Sequence, residues 1–288
     1  MHSPTPQPIR YQARVDAGQR NTTHTQIVEL LGNIGKVPMR ILDIGCSSGY
    51  LGGFLRGQGH WVAGIEPSPA AAAAARAVLD EVFEGGFDAY LADRPPQAAF
   101  DAIVFADVLE HLEDPALALS RCGPVLAPGG CVAISLPNIA HGGVRGMLLE
   151  GRWTYQELGI LDRTHLRFFS RAGLIDLCDQ TAFELKDLRA ITMSVEEMDR
   201  CYAIGLSKGT IALVKTAARD ADVNTFQFVA LACPAADAAS ASAANARWRT
   251  GALASAEQQP RPPSRLRALR HRWRDCARAI TRLIRQQV

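Results

Sequence analysis

The stretch ILDIGCSSGYLG, residues 41–52, decides the fold of this chain. Its first residues predict a short buried strand that ends at Asp43, and Gly45 and Gly49 permit a tight turn before a helix starts. Such a turn brings the backbone close to a ligand beyond the carboxyl end of the strand and points N–H groups at it. Because Cys46-Ser47-Ser48 fills the middle, the stretch is neither the GxGxxG dinucleotide motif nor a Walker phosphate loop.

Strands and helices alternate outward from this turn. Short apolar runs separated by helical patterns are typical of a parallel sheet buried between two layers of helices. The helix from Asn21 should be capped by Asn21 or Thr22. The expected strands are 39–45, 61–66, 100–107, 129–137, 183–193 and 224–232, and the expected helices are 21–35, 50–56, 70–79, 109–126, 171–181 and a helical region over 195–218. The pattern predicts a doubly wound α/β fold.

An acidic residue ends the second expected strand. Glu66 lies about twenty residues beyond the glycine turn, where a carboxylate can accept hydrogen bonds from a ribose diol. A glycine turn followed by an acid at the end of strand two is more specific than either feature alone. Together they predict a site for a nucleoside-containing cofactor.

Four motifs in this order resemble those of the class I S-adenosylmethionine-dependent methyltransferases. They are DIGCSSGYL (43–51), Glu66, FDAIVFADVLEHLEDP (100–115) and LAPGGCVAISLPN (126–138). The resemblance implies a Rossmann-like sheet of seven strands, mostly parallel with an antiparallel last strand, and S-adenosylmethionine as cofactor. In such enzymes the glycine turn packs the methionine part and the acid holds the ribose hydroxyls. The cofactor-binding residues implied are Asp43, Gly45, Cys46, Gly49, Tyr50, Glu66, Pro67, Phe87 and Asp107.

The adenine contact departs from the family pattern. Relatives often carry an Asp after strand three, but here Gly86 and Phe87 occupy that place. Asp88 or Asp93 is the candidate replacement for the carboxylate. Phe87 is the candidate cover for the adenine face.

Segment 138–170 interrupts the alternation and is expected to be a substrate lid. Together with its flanks, SLPNIAHGGVRGMLLEGRWTYQELGILDRTHLRFFS (135–170) resembles a bacterial subgroup of these enzymes built into polysaccharide and glycan biosynthesis, as does TFQFVALACP (225–234). The resemblance implies a sugar hydroxyl as the methyl acceptor. Trp153 and Tyr155 are candidates for stacking on a sugar face, and structural packing of the lid is the alternative for both.

Methyl transfer to a hydroxyl oxygen requires removal of a proton as the methyl arrives. His165 is the expected base, with His111 and Arg167 as further catalytic candidates. Arginines of the lid could bind anionic groups of the acceptor or form structural ion pairs. Within LDRTHLRFFS (161–170), Leu166, Phe168 and Phe169 are expected to anchor the segment, whereas Asp162, Arg163, His165 and Arg167 face the cavity. His141 is expected to be a loop histidine.

A divalent metal site is the alternative use of these residues. In a helical DVLEH (107–111), Asp107, Glu110 and His111 fall at i, i+3 and i+4 on one face, and His165 joins them from the lid. This set is similar to the metal ligands of the small-RNA 3′-terminal 2′-O-methyltransferases, with Asp107 in place of a Glu. Because EHLEDP is common among metal-free relatives, a metal-free site is the favoured expectation.

Charge is distributed unevenly along the chain. The formal net charge is only +2, yet residues 261–288 hold nine arginines and one acid. We expect a disordered leader (1–20), a methyltransferase domain (21–233), a low-complexity linker (234–263) and a basic amphipathic helix (264–288). That helix could dock on an anionic membrane surface or a protein partner, and nucleic acid is not favoured.

Seven scattered cysteines without metal-ligand spacing predict free, mostly buried thiols in a reducing cytoplasm. No signal peptide or apolar span is evident, so the expected location is cytoplasmic or peripheral at the inner membrane face.

Other functions stay open on the sequence. The chain could methylate a small molecule or natural product, or the end of an RNA with a metal ion. A non-enzymatic alternative is a cofactor-binding scaffold recruited through the basic tail.

Overall fold

The structure is a computed structural model that describes residues 15–16, 18–94, 99–217, 221–251 and 253–255. Its strands form one sheet in the order β3-β2-β1-β4-β5-β7-β6-β8. The strands are β1 Arg40–Ile44, β2 Trp61–Glu66, β3 Glu81–Glu84, β4 Phe100–Ala106, β5 Leu126–Pro137, β6 Phe183–Thr192, β7 Thr225–Pro234 and β8 Ala254–Ser255.

Helices cover both faces of this sheet. The α-helices are α1 Thr23–Asn33, α2 Tyr50–Gly57, α3 Pro69–Ala75, α4 Phe87–Asp93, α5 Pro115–Ser120, α6 Gly142–Leu149, α7 Arg171–Gln180, α8 Val195–Cys201, α9 Lys208–Ala217 and α10 Ala238–Asn245. Short 3-10 helices lie at Leu109–His111, Gly123–Val125 and Ala246–Trp248. Thr22 caps α1 by accepting from the N–H of Thr25, as its sequence allows.

The predicted Rossmann-like architecture is confirmed. Strands β1 to β5 are parallel to their neighbours among themselves, and β7 is antiparallel to both β5 and β6. The two-residue strand β8 adds to the seven expected strands, pairing with β6 at the edge. Because β7 runs opposite to its neighbours, β6 ends at the same edge as the parallel strands.

Two hydrophobic layers hold the helices on the sheet. Alternate strand residues point to opposite faces, so Ile41 packs with α1, α2 and α3, whereas Leu42 packs with α4, α5 and α7. Both residues are fully buried. This two-sided burial explains why the strands are continuous apolar runs in the sequence.

A third cluster lies beyond the carboxyl ends of the strands. It joins α6 and the loop after it to α8 and α9, with Val144, Met147, Ile160, Leu161, Val195 and Met198 in its interior. Segment 138–170 leaves the sheet after β5, and the connection holding α8 and α9 leaves it after β6. The expected lid is therefore one half of a packed helical layer, and its partner, residues 193–217 and 221–224, was not predicted as part of the site.

The expected helix over 109–126 is broken into three pieces. A 3-10 turn at Leu109–His111 precedes α5, which starts at Pro115 after the cap Asp114. A second 3-10 turn follows at Gly123–Val125. Proline at a first helical position starts a new helix rather than continuing the old one, which explains the break.

The expected linker 234–263 is wrong in its first part. Residues 238–248 form α10 and a 3-10 turn that pack on α7 and β6. Asn245 is fully buried and accepts from the N–H of Leu185 at 2.7 Å while it donates to the carbonyl of Phe183 at 2.9 Å. Small Ala and Ser side chains, which predicted a linker by composition, also allow this close helix–sheet contact. The tail 264–288 and most of the leader lie outside the described residues.

One cysteine pair corrects the expectation of free thiols. Cys131 and Cys233 form a disulfide between β5 and β7, where they stand directly opposite in the strand register. Cys46, Cys122, Cys178 and Cys201 are free. Widely separated sequence positions gave no signal of this pairing because strand register decides it. Within the described ranges, no helix combines the length and apolarity needed to cross a bilayer.

Alanine substitutions at two glycines distinguish the cost of backbone strain from the cost of a steric clash in the glycine turn. Gly35 and Gly49 have nearly equal φ, +76° and +77°. A Cβ on Gly35 meets nothing within 4 Å, whereas one on Gly49 would lie 2.7 Å from Val78 and 3.2 Å from the backbone of Ala75. We expect Gly35→Ala to lower the free energy of unfolding by about 1 kcal/mol, and Gly49→Ala by about 3 kcal/mol because overpacking adds to strain. Urea denaturation measures both, and equal losses would contradict the close packing of the turn.

Candidate active site at the carboxyl edge of the sheet

The glycine turn has the tight backbone that its sequence predicts. Gly45, Ser47 and Gly49 have φ of +70°, +49° and +77°, and Gly49 is the N-cap of α2. A Cβ on Gly45 would lie 2.7 Å from the side chain of Val108. The turn therefore lies against the residues that follow β4.

Several N–H groups of this turn bond within the protein. Gly45 and Cys46 donate to the carbonyl of Ile65 at 2.8 and 3.1 Å, and Ser47 donates to Glu66 Oε2 at 2.9 Å. The expectation that these groups face a ligand is therefore wrong. They fasten the turn to the end of β2 and hold Glu66 beside it.

The Cys46 side chain belongs to the core rather than to the ligand side. It is 3% exposed, and a Cβ on Gly64 of β2 would meet its Sγ at 2.5 Å. Burial raises the pKa of this thiol. The Cys46 side chain is therefore buried in the core, and its predicted contact with the cofactor stays a prediction.

Acidic side chains end three neighbouring strands. Asp43 belongs to β1, Glu66 to β2, and Asp107 directly follows β4. Asp43 is 2% exposed, and its Oδ2 has no hydrogen-bond partner among the described residues. Burial, and after it the charge of Glu66, raises the pKa of Asp43 to about 7. Three acids within one edge favour a cationic ligand.

Glu66 is oriented by two backbone groups. Its Oε1 accepts from the N–H of Ser68 at 2.8 Å and its Oε2 from Ser47. Each carboxylate oxygen can accept a second bond, so ribose hydroxyls can still be bound. Pro67 is exposed beside it, and its predicted contact with the cofactor stays a prediction.

Asp107 is held by residues of three other elements. It has φ +57°, and its Oδ1 accepts from Ser135 Oγ at 2.6 Å and from Gln227 Nε2 at 3.1 Å. Gln227 in turn accepts from Thr23 Oγ1 at 2.7 Å. This chain ties α1, β5 and β7 to the end of β4. Sequence reasoning missed Ser135, Gln227 and Thr23 because their register against Asp107 is set by the sheet.

An N-terminal helix covers this side of the site. The ring of His24 on α1 lies edge-on to Tyr50 with 5.0 Å between centroids. Burial lowers the pKa of His24, and the charge of Asp107 opposes this shift. Burial, followed by Asp107, raises the pKa of Tyr50. His24 therefore stands beside the predicted residues Tyr50 and Asp107, although its sequence gave no such signal.

The side predicted to hold adenine differs from expectation. Phe87 is 8% exposed and packs edge-on against Phe105 in the core, so it is not a free cover for a base. Asp88 pairs with Arg121 on the surface. Asp93 is exposed at the end of α4. Neither carboxylate is positioned by burial at the site.

The histidines predicted at the substrate end do come together. Glu110, His111 and His165 each offer a ligand atom, and the three atoms lie within 4.8 Å of one another. Asp107 is not part of this cluster, because residues 107–111 are not one helix: Asp107 has positive φ and only Leu109–His111 form a 3-10 turn. The predicted four-residue set is therefore corrected to three.

Backbone carbonyls orient both imidazoles of the cluster. His165 Nδ1 lies 3.0 Å from the carbonyl of Ile160, and His111 Nδ1 lies 3.2 Å from that of Thr164. Since a carbonyl can only accept, Nδ1 is the donor in each of these two contacts, and Nε2 is the other ring nitrogen. The rings lie nearly perpendicular, 4.8 Å apart.

The cluster also contains a buried carboxyl. Glu110 is 1% exposed, and burial, followed by the charge of Asp107, raises its pKa well above the ordinary value. Burial lowers the pKa of His165, and the neighbouring His111 adds to this while the Ile160 carbonyl opposes it. The lowered pKa of His165 favours its unprotonated imidazole.

Other polar residues of LDRTHLRFFS shape the segment. Asp162 is buried and accepts from the N–H and hydroxyl of Thr164 at 2.8 and 2.7 Å. Arg163 pairs with Glu157 on the surface, and Arg167 donates to the carbonyl of Glu113 at 2.6 Å. Asp162 is buried and Arg163 is paired on the surface, so their expected orientation toward a cavity is wrong. Arg167 lines a pocket together with Glu113 and Phe168, and its catalytic role stays a prediction.

A series of ring contacts joins the surface aromatic side chains to His165. Trp153 and Tyr155 are 40% and 47% exposed, Trp153 lies 5.5 Å from Phe168, and Phe168 lies 6.3 Å from His165. Phe169 anchors the segment in the core as predicted. Leu166 does not, since it is 48% exposed.

His141 is structural. It caps α6 by accepting from the N–H of Gly143 on Nδ1 at 3.0 Å, and its Nε2 donates to the carbonyl of Met193 at 2.8 Å. It is fully buried. This agrees with its predicted lack of a catalytic role.

The acidic ends of the strands form a candidate cofactor-binding edge next to a histidine cluster. Comparison with known proteins identifies the class of protein that has this arrangement. A family model described as a methyltransferase domain matches residues 17–188, more than half of the chain. The chain therefore belongs to this family, and it is an S-adenosylmethionine-dependent methyltransferase.

Named relatives agree with this class. The chain is 29% identical over 180 residues to a ubiquinone biosynthesis O-methyltransferase of Aromatoleum aromaticum, covering 60% of this chain and 75% of that one. It is 32% identical over 150 residues to a probable S-adenosylmethionine-dependent methyltransferase of Mycolicibacterium smegmatis, covering 51% and 52%. These names give no support to the glycan-biosynthesis subgroup.

Solved structures share the fold. A methyltransferase from Archaeoglobus fulgidus superposes with a TM-score of 0.53 at 17% identity, covering 74% of this chain and 94% of that one. One from Methanosarcina mazei gives 0.50 at 18% identity, covering 72% and 97%.

The residues present fit S-adenosylmethionine. This cofactor carries a positive sulfonium and an ammonium group, and the unpartnered Asp43 Oδ2 is a buried acceptor at the edge where it would bind. Glu66 keeps lone pairs for ribose hydroxyls, as described above. The cofactor supplies an activated methyl, and the chain's own residues orient it and exclude water.

The raised pKa of Asp43 has a measurable consequence without cofactor. A carboxyl in the unfolded chain titrates near 3.9, whereas folded Asp43 titrates at about 7. Ionisation of Asp43 therefore lowers the free energy of unfolding, by an amount that grows from about pH 4 to about pH 7 and is constant above that pH. We expect the stability advantage of Asp43→Asn over wild type to grow from pH 5 to pH 8 in urea denaturation. Asp80→Asn, at a surface pair with Arg56, is the control, and a pH-independent advantage would contradict the prediction.

Proposed function

We propose that this methyltransferase transfers the methyl group to a hydroxyl oxygen that lies at the Glu110, His111 and His165 cluster. The observation that carries this proposal is the orientation of His165, whose Nδ1 is bound to the Ile160 carbonyl, which leaves Nε2 as the nitrogen that can take up a proton. An oxygen acceptor needs such a group, because its proton must leave as the methyl arrives.

The position of the cluster supports this chemistry. Glu110 and His111 follow β4, and Val108, in the same connection, lies against Gly45 of the glycine turn. Asp107 lies near both the cluster and Tyr50, since its charge acts on the pKa of Glu110, His165 and Tyr50 alike. A methyl donor held along the edge formed by β1, β2 and β4 would face this cluster.

The acceptor that we propose is a sugar hydroxyl. The segment LDRTHLRFFS supports it by resemblance, and the exposed rings of Trp153 and Tyr155 offer flat surfaces on the path to His165. A phenolic hydroxyl is the second candidate, because one relative named as a ubiquinone biosynthesis O-methyltransferase matches this chain over 75% of its length. Both acceptors present a ring that can stack on aromatic side chains.

A labelled methyl-donor assay tests the proposal. Purified protein is supplied with one panel of sugars and extracted glycans and one panel of phenols, and product mass identifies the methylated atom. We expect O-methylation in one panel, with His165→Ala lowering the rate at least 100-fold. Glu157→Ala, an exposed change in the same segment, should leave the rate unchanged.

Cofactor binding separates catalysis from folding. His165→Ala should bind S-adenosylhomocysteine as wild type does, since His165 lies outside the acidic edge of the sheet. If His165→Ala lost that binding, His165 would have a structural role, and its proposed role as the base would be wrong. Methylation of nitrogen or carbon acceptors alone would overturn the hydroxyl proposal.

A further inference from the structure

We propose that Asp107 gives this site a preference for the cationic methyl donor over its neutral product, and that Ser135 and Gln227 position Asp107 for that role. S-adenosylmethionine carries a positive sulfonium, whereas S-adenosylhomocysteine has a neutral thioether at the same place. A carboxylate beside that sulfur therefore binds the donor more strongly than the product. The inference concerns the cofactor side of the site and goes beyond the proposed function, because it holds for any methyl acceptor.

The position of Asp107 is the first observation. It directly follows β4, which pairs with β1, and ligands of open α/β sheets bind beyond the carboxyl ends of strands where the strand order reverses. Besides burial, its charge acts on the pKa of Tyr50, at the start of α2, and of His165 in the histidine cluster. Asp107 therefore lies near both the cofactor edge and the acceptor side, between which the methyl group must pass.

The hydrogen bonds of Asp107 are the second observation. Ser135 Oγ donates to Oδ1 at 2.6 Å and Gln227 Nε2 donates to the same oxygen at 3.1 Å. Ser135 Oγ also accepts from the Asp107 N–H at 2.9 Å, so the side chain and the backbone of Asp107 are held together. A carboxylate oxygen accepts about two bonds. Among the described residues, these contacts occupy Oδ1 and leave Oδ2 for a ligand.

The first turn of α1 sets the direction of the Gln227 amide. Gln227 Oε1 accepts from Thr23 Oγ1 at 2.7 Å, so Nε2 of the same amide is the group that faces Asp107. An amide turned the other way would place two oxygens against each other and lose both bonds. Thr23 is buried. Thr23 therefore acts on Asp107 through Gln227.

The backbone and the charge of Asp107 are the third observation. Its φ is +57°, a conformation that costs free energy in a residue with a side chain and that occurs at functional sites. Within the described ranges, no lysine or arginine forms an ion pair with Asp107. Burial lowers the pKa of His24, the imidazole of α1 on which Asp107 acts, and this disfavours a neutralising charge there. The carboxylate therefore keeps its attraction for a cationic ligand.

Ligand binding without an acceptor tests the inference. Isothermal titration calorimetry compares S-adenosylmethionine, S-adenosylhomocysteine and sinefungin, an analogue that carries an ammonium group where the donor carries its sulfonium. We expect Asp107→Asn to weaken binding of the donor and of sinefungin about 10-fold and binding of the product less than about 2-fold, because only the charge beside the sulfur is lost. Asp88→Asn, which removes an acid of a surface ion pair, should change none of the three affinities.

Variants of the positioning residues separate orientation from charge. Gln227→Leu removes a donor to Oδ1, and Thr23→Val removes the hydroxyl that directs the amide. We expect each to lower the ratio of donor affinity to product affinity about 3-fold, whereas Thr23→Ser, which keeps the hydroxyl, should retain the wild-type ratio. Gln180→Leu, at an exposed glutamine that ends α7, is the matched control. A wild-type ratio in Gln227→Leu would overturn the positioning role.

An Asp107 with only a structural role gives a different result. Disturbed packing would weaken the charged and the neutral ligands alike, so the ratio of affinities in Asp107→Asn would equal that of wild type, and the proposed preference would be wrong. If Asp107→Asn does not fold, as judged by urea denaturation, Gln227→Leu and Thr23→Val decide the question by the same ratio. Because no acceptor is present, none of these outcomes depends on whether a hydroxyl is methylated.

Discussion

The carbonyl of Glu110 is the contact on which the substrate side depends. It accepts from the N–H groups of Leu166 and Arg167 at 2.8 and 3.0 Å, and it therefore joins the end of β4 to a segment more than fifty residues later in the chain. Without this tie, His111 and His165 would belong to two independent loops. With it, both rings are set by backbone geometry, and Arg163 and Arg167 form contacts at the surface of the segment with Glu157 and the Glu113 carbonyl.

Buried acids at the carboxyl edge of the sheet lower the stability of the fold at positions where a ligand is expected to bind. Burying a carboxyl oxygen without a partner costs about 1–3 kcal/mol, and Asp43 and Glu110 each carry such an oxygen. Neither contributes to the hydrophobic layers that hold the sheet together. Both lie where parallel strands end, which is the common place for ligands in open α/β sheets. Stability is thus reduced at the positions where binding is expected.

Much of the fold could be predicted because local pattern and global position agree. A strand such as β2 is a single apolar run with an acid at its end, and its bounds match the expectation. The tie between β5 and β7 through Cys131 and Cys233 could not be predicted, since it depends on the register of strands far apart in sequence. The helical conformation expected over 107–126 is interrupted twice. Asp107 has a positive φ, and Pro115 starts a new helix.

The residues of the candidate site could also be predicted only in part. Glu66 and His165 were predicted from motif order, and the structure places both at the candidate site. Ser135, Gln227 and His24 were not predicted, because their contacts depend on the packed sheet. Phe87 and Arg167 were predicted as site residues from their residue types, but their side chains have other contacts in the structure. Their residue types suit stacking and anion binding, but a packed neighbour and a nearby carbonyl, respectively, already occupy them.

The helix α10 has a consequence for how this chain can be divided. Composition places a boundary after Pro234, yet Asn245 caps the backbone of β6 and Trp248 donates to the Leu185 carbonyl at 3.1 Å. A fragment cut at that boundary would present β6 as a bare edge strand beside an uncovered apolar patch. Unpaired strand edges recruit other chains, so such a fragment is prone to self-association. The smallest unit that closes its own sheet therefore extends to about residue 255.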